Sequence, residues 1–225
     1  MKAELIDTMG NDLTVVNAAR VSFDKESEWE WSYDGNGDEA LLAEKDQKLI
    51  NYLAKHNHWT PFSHVMITMR ETVPIFVARQ RFKHMVGFTY NEVSRRYVDT
   101  PPEFFIPESW RKAAENKKQG SSDESLIGLD ADSAGFHYEE LIQYAKEMYT
   151  MLINMGVAPE QARMVLPQSM YTSYYVTGSL AAWARAYKLR IDPHAQKEIQ
   201  DLAVQWGDII GAIPELKYSW EALTK

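Results

Sequence analysis

Residues 65–73 read Val-Met-Ile-Thr-Met-Arg-Glu-Thr-Val, a β-rich run partly alternating in polarity, and Pro74 follows at once. β-Branched residues at alternating positions suit a half-buried pleated surface, so this run is expected to be a strand. Proline cannot donate to a strand ladder but suits the first turn of a helix, so a helix over 74–85 is expected where the strand ends. Ile75, Ala78, Phe82 and Met85 share one face of that helix. Arg79 and Lys83 fall on another at i and i+4, beside Gln80 and His84 at the same spacing. Strand and helix in immediate succession, in 225 residues without an internal repeat, point to one α+β domain over 1–225. Its expected core is a central, mostly antiparallel sheet flanked by helices.

The remaining chain fits that architecture. A short strand is expected over 3–7, then a helix capped by Asn11 with Leu13, Val16 and Ala19, or Val15 and Ala18, turned inward. Residues 25–38 are charged and end in an Asn-Gly turn signal, which reads as a solvent loop. A helix over 39–56 presents Leu41, Leu42, Leu49, Ile50 and Leu53. Residues 87–91 break the helix that Pro74 starts. A mobile surface loop is expected over the polar, Gly/Ser-rich residues 113–135. A helix over 137–155 follows, with Leu141, Tyr144, Met148, Leu152 and Met155 inward and Gly156 as its stop. A Pro-flanked helical turn holds Arg163, and 170–176 has the pattern of a strand. Helices over 179–189 and 193–211 complete the body, the last with Asp192 and Pro193 as N-cap and N1.

The composition removes several chemistries. The chain has no cysteine, which excludes disulfides, thiolate metal sites and a cysteine nucleophile. Its 32 carboxylates against 24 Lys and Arg give a net charge of −8, which argues against wholesale nucleic-acid binding. The N-terminal Met-Lys-Ala-Glu-Leu-Ile-Asp lacks the apolar core of a signal peptide. No stretch approaches the roughly 18–20 apolar residues of a membrane span. A cytoplasmic protein without membrane contact is expected.

Against that acidic background, residues 79–97 carry five Lys/Arg and one Glu. Local positive charge of this kind suits an anion such as a phosphate, whose oxygens match guanidinium forks. Asn91, Glu92 and Ser94 add short donors and acceptors for a heterocycle's edge. The bland reading is a solvated helix face and a polar turn. Alternatively, Phe82, Phe88 and Tyr90 would be stacking groups of a nucleotide- or RNA-binding module. A second cluster holds His56, His58 and His64, whose spacing matches no zinc motif, so structural or capping roles are expected for His56 and His64. Arg163 and Arg190 lie among apolar neighbours and require an anionic partner if buried, from a ligand or from an internal salt bridge.

The run Ala78-Arg79-Gln80 through Asn91-Glu92-Val93-Ser94-Arg95-Arg96-Tyr97 resembles the signature of the flavin-dependent thymidylate synthases. Four other stretches agree in the same order. They are Met9-Gly10-Asn11-Asp12 with residues 18–23, His58-Trp59-Thr60-Pro61-Phe62, residues 162–167, and Leu189-Arg190 with His194-Ala195-Gln196. The resemblance implies reductive methylation of dUMP to dTMP, with methylenetetrahydrofolate as carbon donor, FAD as cofactor and NADPH as reductant. It also implies a homotetramer with shared active sites. Carried over residue by residue, it puts Gln80, Arg81, Lys83, Glu92, Ser94, Arg95, Arg96, Arg163 and Arg190 at dUMP. Ser22, Thr60, Lys83, His84, Met85, Asn91, Glu92, Ser179 and Arg185 fall at FAD, and His58 at the folate and flavin face. Arg190 matches the arginine that polarises uracil, the one catalytic assignment. Ser94 has no general base beside it in the pattern and is assigned to substrate binding.

The chain departs from that family at several positions. The family's Arg-His-Arg is Lys83-His84-Met85, followed by eight residues before Ser94, one more than usual. Its Asn-x-Arg is Ser179-Leu180-Ala181, a flavin-side Asn is Arg185, and a flavin-side Glu is Ser63. Arg185 is expected to replace the cation missing at Met85 or at Ala181. The unrelated class of thymidylate synthase attacks uracil with a cysteine thiolate, which this chain does not possess.

Overall fold

The strand expected after residue 64 forms the second position of a four-stranded antiparallel sheet. The computed structural model describes all residues except 34–37, 99 and 115–119. In chain order they form β1 (Lys2–Met9), α1 (Asp12–Arg20), the hairpin β2 (Glu30–Tyr33) and β3 (Asp38–Leu41), α2 (Glu44–Lys55), β4 (Met66–Pro74) and α3 (Ile75–Arg81). Then come β5 (Phe88–Glu92), α4 (Leu129–Asn154), α5 (Pro159–Ala162), β6 (Tyr171–Ser179), α6 (Leu180–Arg190), α7 (Lys197–Gly211) and α8 (Lys217–Thr224). The sheet order is β1–β4–β6–β5, every pair antiparallel. The expected α+β class, a sheet flanked by helices, is what the chain adopts.

Alternation along β4 separates two faces of different character. Ile67, Met69, Glu71 and Val73 are buried, opposite Gly178, Val176, Tyr174 and Thr172 of β6. Helices α3, α6 and α7 cover this side. Thr68, Arg70 and Thr72 point the other way, opposite Thr177, Tyr175 and Ser173, and make a polar face. At Gly178 the ring of Phe88 crosses from β5 so closely that a Cβ would lie 2.3 Å from it. Only glycine lets the two strands approach in this way.

The core centres on Trp183 and Trp206, both fully buried with ring centroids 5.6 Å apart. Beside them lies a charge pair that is wholly out of water. Arg81 Nε donates to both oxygens of Glu71 at 3.2 Å, and each side chain is 0% exposed. The Tyr174 hydroxyl donates to Glu71 at 2.6 Å, and Arg81 donates to the Tyr90 hydroxyl at 2.7 Å. Phe88, Trp183 and Trp206 each present a ring within 5 Å of the guanidinium carbon. A carboxylate, a tyrosine hydroxyl and π faces stand where water would otherwise surround this guanidinium, and only its Nη2 lacks a hydrogen-bond partner among the described residues. Burial pushes the Tyr90 hydroxyl up to about 12, which keeps it a donor toward the His84 carbonyl at 2.6 Å.

Several elements differ from their sequence reading. Part of the expected loop at 25–38 pairs as β2 with β3, and the Asn-Gly signal at 36–37 lies outside the described residues. Because residues 38–41 are used in that hairpin, α2 starts at Glu44 rather than 39. α3 ends at Arg81, since Tyr90 binds the His84 carbonyl just beyond it. The break expected at residues 87–91 overlaps the edge strand β5, Phe88–Glu92. The expected mobile loop at 113–135 ends early. α4 starts at Leu129, and Arg111 pairs with Ser125 in a short ribbon. The buried face of α4 is Ile142, Ala145 and Tyr149, whereas Leu141, Tyr144 and Met155 are exposed and Met148 and Leu152 are half-buried. The helix is apolar on adjacent stripes, and periodicity alone does not choose between them. Asp192 binds the amide of His194 at 2.8 Å instead of capping α7, whose N-cap is Gln196. The unanticipated α8 is tied down by buried Asp12, which accepts from the amides of Tyr218 and Ser219 at 2.9 Å each. Asn11 caps α1 as expected, in a reciprocal box with Thr14, and Gly156 (φ +83°) ends the turn after α4.

Candidate active site

Two grooves flank β5. The first has a volume of about 1050 Å³ and lies over the polar face of the sheet. Arg70 and Thr72 of β4, Glu92 of β5 and Ser173 of β6 form its floor. Ser94 and Arg95 come from the segment after β5, and Arg163 from the 3₁₀ turn after α5. Glu92 is fixed by the Thr172 hydroxyl, which donates to it at 2.6 Å. The Ser94 hydroxyl accepts from the Arg96 amide at 3.3 Å, which shapes the turn. Arg95 donates to the carbonyl of Thr100, Arg163 to that of Glu160 at 3.3 Å, and Arg70 to the Ser173 hydroxyl at 3.1 Å. Among the described residues none of these three guanidinia has a carboxylate partner. The internal salt bridge considered for Arg163 is absent there. Three guanidinia without an ion pair, around short hydroxyls, suit a phosphate-bearing ligand, with Glu4 opposite Arg70 on β1 and Glu92 and Glu103 lining the same groove.

The second groove, about 1130 Å³, runs between β5, the 57–66 segment, α6 and α8. Trp59, Met66, Val86, Phe88, Leu189 and Leu223 line it, with Ser63, Thr89 and Ser179 as short polar groups and Arg185 and Lys188 as cations. Arg185 is directed across it by the carbonyl of Val86, to which it donates. Ser179 caps α6, its hydroxyl accepting from the Ala182 amide at 3.2 Å. Flat apolar walls with two cations suit a large aromatic ligand that carries anionic groups.

His84 and Arg190 make a separate contact. Arg190 Nε donates to His84 Nε2 at 2.8 Å, so the imidazole is neutral and its proton is on Nδ1. Burial, followed by the charges of Arg190, Arg81 and Arg185, lowers the His84 pKa to about 4. Burial and Arg81 likewise lower the pKa of Arg190. Arg190 has no ion pair among the described residues, so the internal salt bridge considered for it is absent as well.

The expected site residues divide by where the structure places them. Glu92, Ser94, Arg95 and Arg163 meet in the first groove, and Ser179 and Arg185 in the second. His84, Gln80 and Arg190 form hydrogen-bonded contacts off the grooves, Gln80 with Gln196. Arg81 is a correction: it is fully buried against Glu71 and presents no surface to a ligand. Lys83, Met85, Asn91 and Arg96 are exposed beside the grooves without lining them, and Arg96 pairs with Glu160 at 3.4 Å. Ser22, Thr60 and His58 are exposed and line neither groove, although Asn57, Trp59 and Ser63 line the second. His56 and His58 pack on Tyr52, and no group of three or more potential metal ligands gathers among the described residues. Phe82, Phe88 and Tyr90 pack on one another, Tyr174 and Trp183 rather than forming an open stacking platform. Sequence reading missed Arg70, Thr72 and Ser173. The period-2 pattern of β4, which puts Arg70 and Thr72 on one face, was the available signal.

A sheet-based domain with one guanidinium-bearing groove and one apolar, cation-bearing groove defines a class of protein that suits anionic and large aromatic ligands. The chain matches the Thy1 family, Thymidylate synthase complementing protein, over residues 4–214, and belongs to it. It is 40% identical over 208 residues to a flavin-dependent thymidylate synthase of Thermosipho africanus, covering 91% of this chain and 83% of that protein. It is 37% identical over 210 residues to one from Thermus thermophilus, covering 92% and 70%. Among solved structures, the UMP/dUMP methylase PolB from Streptomyces cacaoi, bound with 5-Br dUMP, superimposes with a TM-score of 0.80 at 29% identity. That match covers 99% of this chain and 94% of PolB. No helix among the described residues is long and apolar enough to cross a membrane.

Proposed function

We propose that this chain is a flavin-dependent thymidylate synthase that converts dUMP to dTMP in the cytoplasm. Methylenetetrahydrofolate is the carbon donor, and FAD reduced by NADPH completes the reaction. The observation that carries this reading is the convergence of Ser94, Arg95, Arg163 and Arg70 on one groove without carboxylate partners. The 5′-phosphate of dUMP supplies the missing anion, and Glu92 and Ser94 meet the sugar or base. Arg190 lines neither groove of its own chain; on this reading its charge meets the negative charge that uracil gathers as its C5 becomes nucleophilic. The Nε of Arg190 is engaged by His84, and its two terminal nitrogens are left for the ring. The chain has no cysteine, so activation of uracil proceeds without a protein thiolate.

The second groove fits the flavin: Trp59, Phe88 and Leu189 offer flat apolar surface, and Arg185 and Lys188 offer charge for its diphosphate. The flavin supplies the reducing equivalents that turn a transferred one-carbon unit into a methyl group. Lys83, Met85, Asn91, Arg96, Ser22, Thr60 and His58 are assigned to sites shared between subunits. Their exposure, and that of Leu141, Tyr144 and Met151 on α4 and Met155 just beyond it, support association into a homotetramer.

Anaerobic turnover of dUMP with methylenetetrahydrofolate, FAD and NADPH, scored for dTMP, tests the proposal. dTMP should form at a rate that depends on all four compounds. A folded, flavin-loaded preparation that forms none refutes it. Ser94→Ala should retain some turnover, and complete loss with dUMP affinity intact would restore Ser94 as a nucleophile.

A further inference from the structure

A chain of hydrogen bonds runs from Gln80 on α3 to a ribbon that none of the sequence motifs includes. Gln80 Nε2 donates to Gln196 Oε1, and Gln196 Nε2 donates to Glu198 Oε2 at 2.8 Å. The other oxygen of Glu198 accepts from Arg111 at 2.6 Å, and Arg111 Nε donates to the Ser121 hydroxyl at 2.7 Å. Glu198 is buried. Burial pushes its carboxyl up, but the hydrogen bonds from Arg111, Gln196 and its own amide outweigh this and hold it below the usual range.

The direction of every bond in this chain follows from its far end. A side-chain amide fits a site equally well with its oxygen and nitrogen exchanged, so shape does not orient it. An ionised carboxylate only accepts, and a guanidinium only donates. With Arg111 on one oxygen of Glu198, Gln196 must turn its NH₂ toward the other. Its oxygen then faces Gln80, which must present its own NH₂ in return. Gln80 Oε1 receives no hydrogen bond from the described residues and is left as an acceptor.

We propose that Glu198, acting through Gln196, fixes the amide of Gln80 with its oxygen free to accept from a donor on the bound nucleotide, the imide N–H of uracil or a ribose hydroxyl. Glu198 and Gln196 are thus positioning residues set by a charge two side chains away. The inference rests on the reading that Gln80, which lines neither groove of its own chain, meets dUMP. With the relay reversed, Gln80 would oppose that donor with N–H groups and lose the contact.

The test is a mutant cycle on FAD-loaded protein, with dUMP affinity from calorimetry, FAD affinity, and side-chain amide NMR of the ligand-free chain. Glu198→Gln removes the acceptor-only end. Gln196→Leu cuts the relay while leaving the Arg111–Glu198 pair in place. Each should weaken dUMP about tenfold, as should Gln80→Met, with FAD affinity unchanged. Adding either change to Gln80→Met should weaken dUMP no further, because both act through Gln80. The Gln80 amide signals should shift or double in Glu198→Gln without any ligand. Additive losses, or parallel losses of dUMP and FAD affinity, overturn the proposal in favour of a structural role. Unchanged dUMP affinity in Gln80→Met overturns it by removing the contact. If the wild-type chain binds no dUMP, the functional reading fails, and unmoved amide signals would show separately that Glu198 does not set the orientation.

Discussion

The two grooves on either side of β5 differ in how they gain from a ligand. The first is built around cations that form no ion pair among the described residues, so binding there supplies charge neutralisation and directional hydrogen bonds. The second is walled by Trp59, Phe88, Leu189 and Leu223, so binding there removes apolar surface from water and uses Arg185 and Lys188 at particular points. The grooves open at opposite ends of β5 rather than on its alternate faces. Phe88 and Thr89 line one, Glu92 the other. Beneath both lies Arg81, drawn from the same basic segment as Arg95 but committed to Glu71. An arginine that has found its anion holds the scaffold, and one that has not marks a binding surface.

Breaking the scaffold should have the largest effect. Glu71→Gln leaves the Arg81 charge buried without a counter-ion and should cost about 3–5 kcal/mol of stability in chemical denaturation. A loss under about 1 kcal/mol would mean that the Tyr90 hydroxyl and the aromatic faces alone hold Arg81. Arg190→Ala should fold normally and retain flavin, while turnover falls about 10²–10³-fold, the usual effect of removing a group that stabilises developing charge. Full activity in that variant would sink the assignment of Arg190 to uracil.

A crossed pair of substitutions sharpens the contrast between the grooves. Arg163→Ala should weaken dUMP by about tenfold or more and leave flavin affinity unaltered, since a charge-assisted hydrogen bond contributes roughly 1.5–3 kcal/mol. Arg185→Ala should do the reverse and by less, because apolar area carries much of that groove's binding. Equal loss of both ligands in either variant would show that the grooves act as one site.

How much of this was legible in the sequence depended on the range of the interaction. Asn11, the β4–Pro74 junction and Gly156 were readable because capping and backbone chemistry are decided within a few residues. Glu92, Ser94, Arg95 and Arg163 were readable from motif chemistry, although only the fold brings Arg163 to the others. Arg81 was misread because the residue that claims it, Glu71, is on a different element, and nothing local distinguishes Arg81 from Arg79. β5 was missed for a related reason. Its five residues are held by pairing with β6 and by the Tyr90 hydroxyl rather than by their own pattern. Glu198 and Arg111 are 87 positions apart, beyond any local rule.

The smallest predicted effect concerns His84, whose pKa burial and three nearby arginines lower to about 4. In the unfolded chain the same imidazole titrates near 6.5. Between those values the unfolded state binds a proton that the folded state refuses, so falling pH favours unfolding. The contribution of His84 to stability is therefore intact above about pH 6.5 and is lost progressively toward pH 4. Because water reaches part of the site, the expected loss is about 1 kcal/mol rather than the full linkage value. Denaturation midpoints across this window should fall more steeply in the wild type than in His84→Gln, which keeps an acceptor for Arg190 but does not titrate. Parallel curves would mean that Arg190 and His84 are not held together in solution. The contact would then no longer account for Arg190 standing ready without a carboxylate partner.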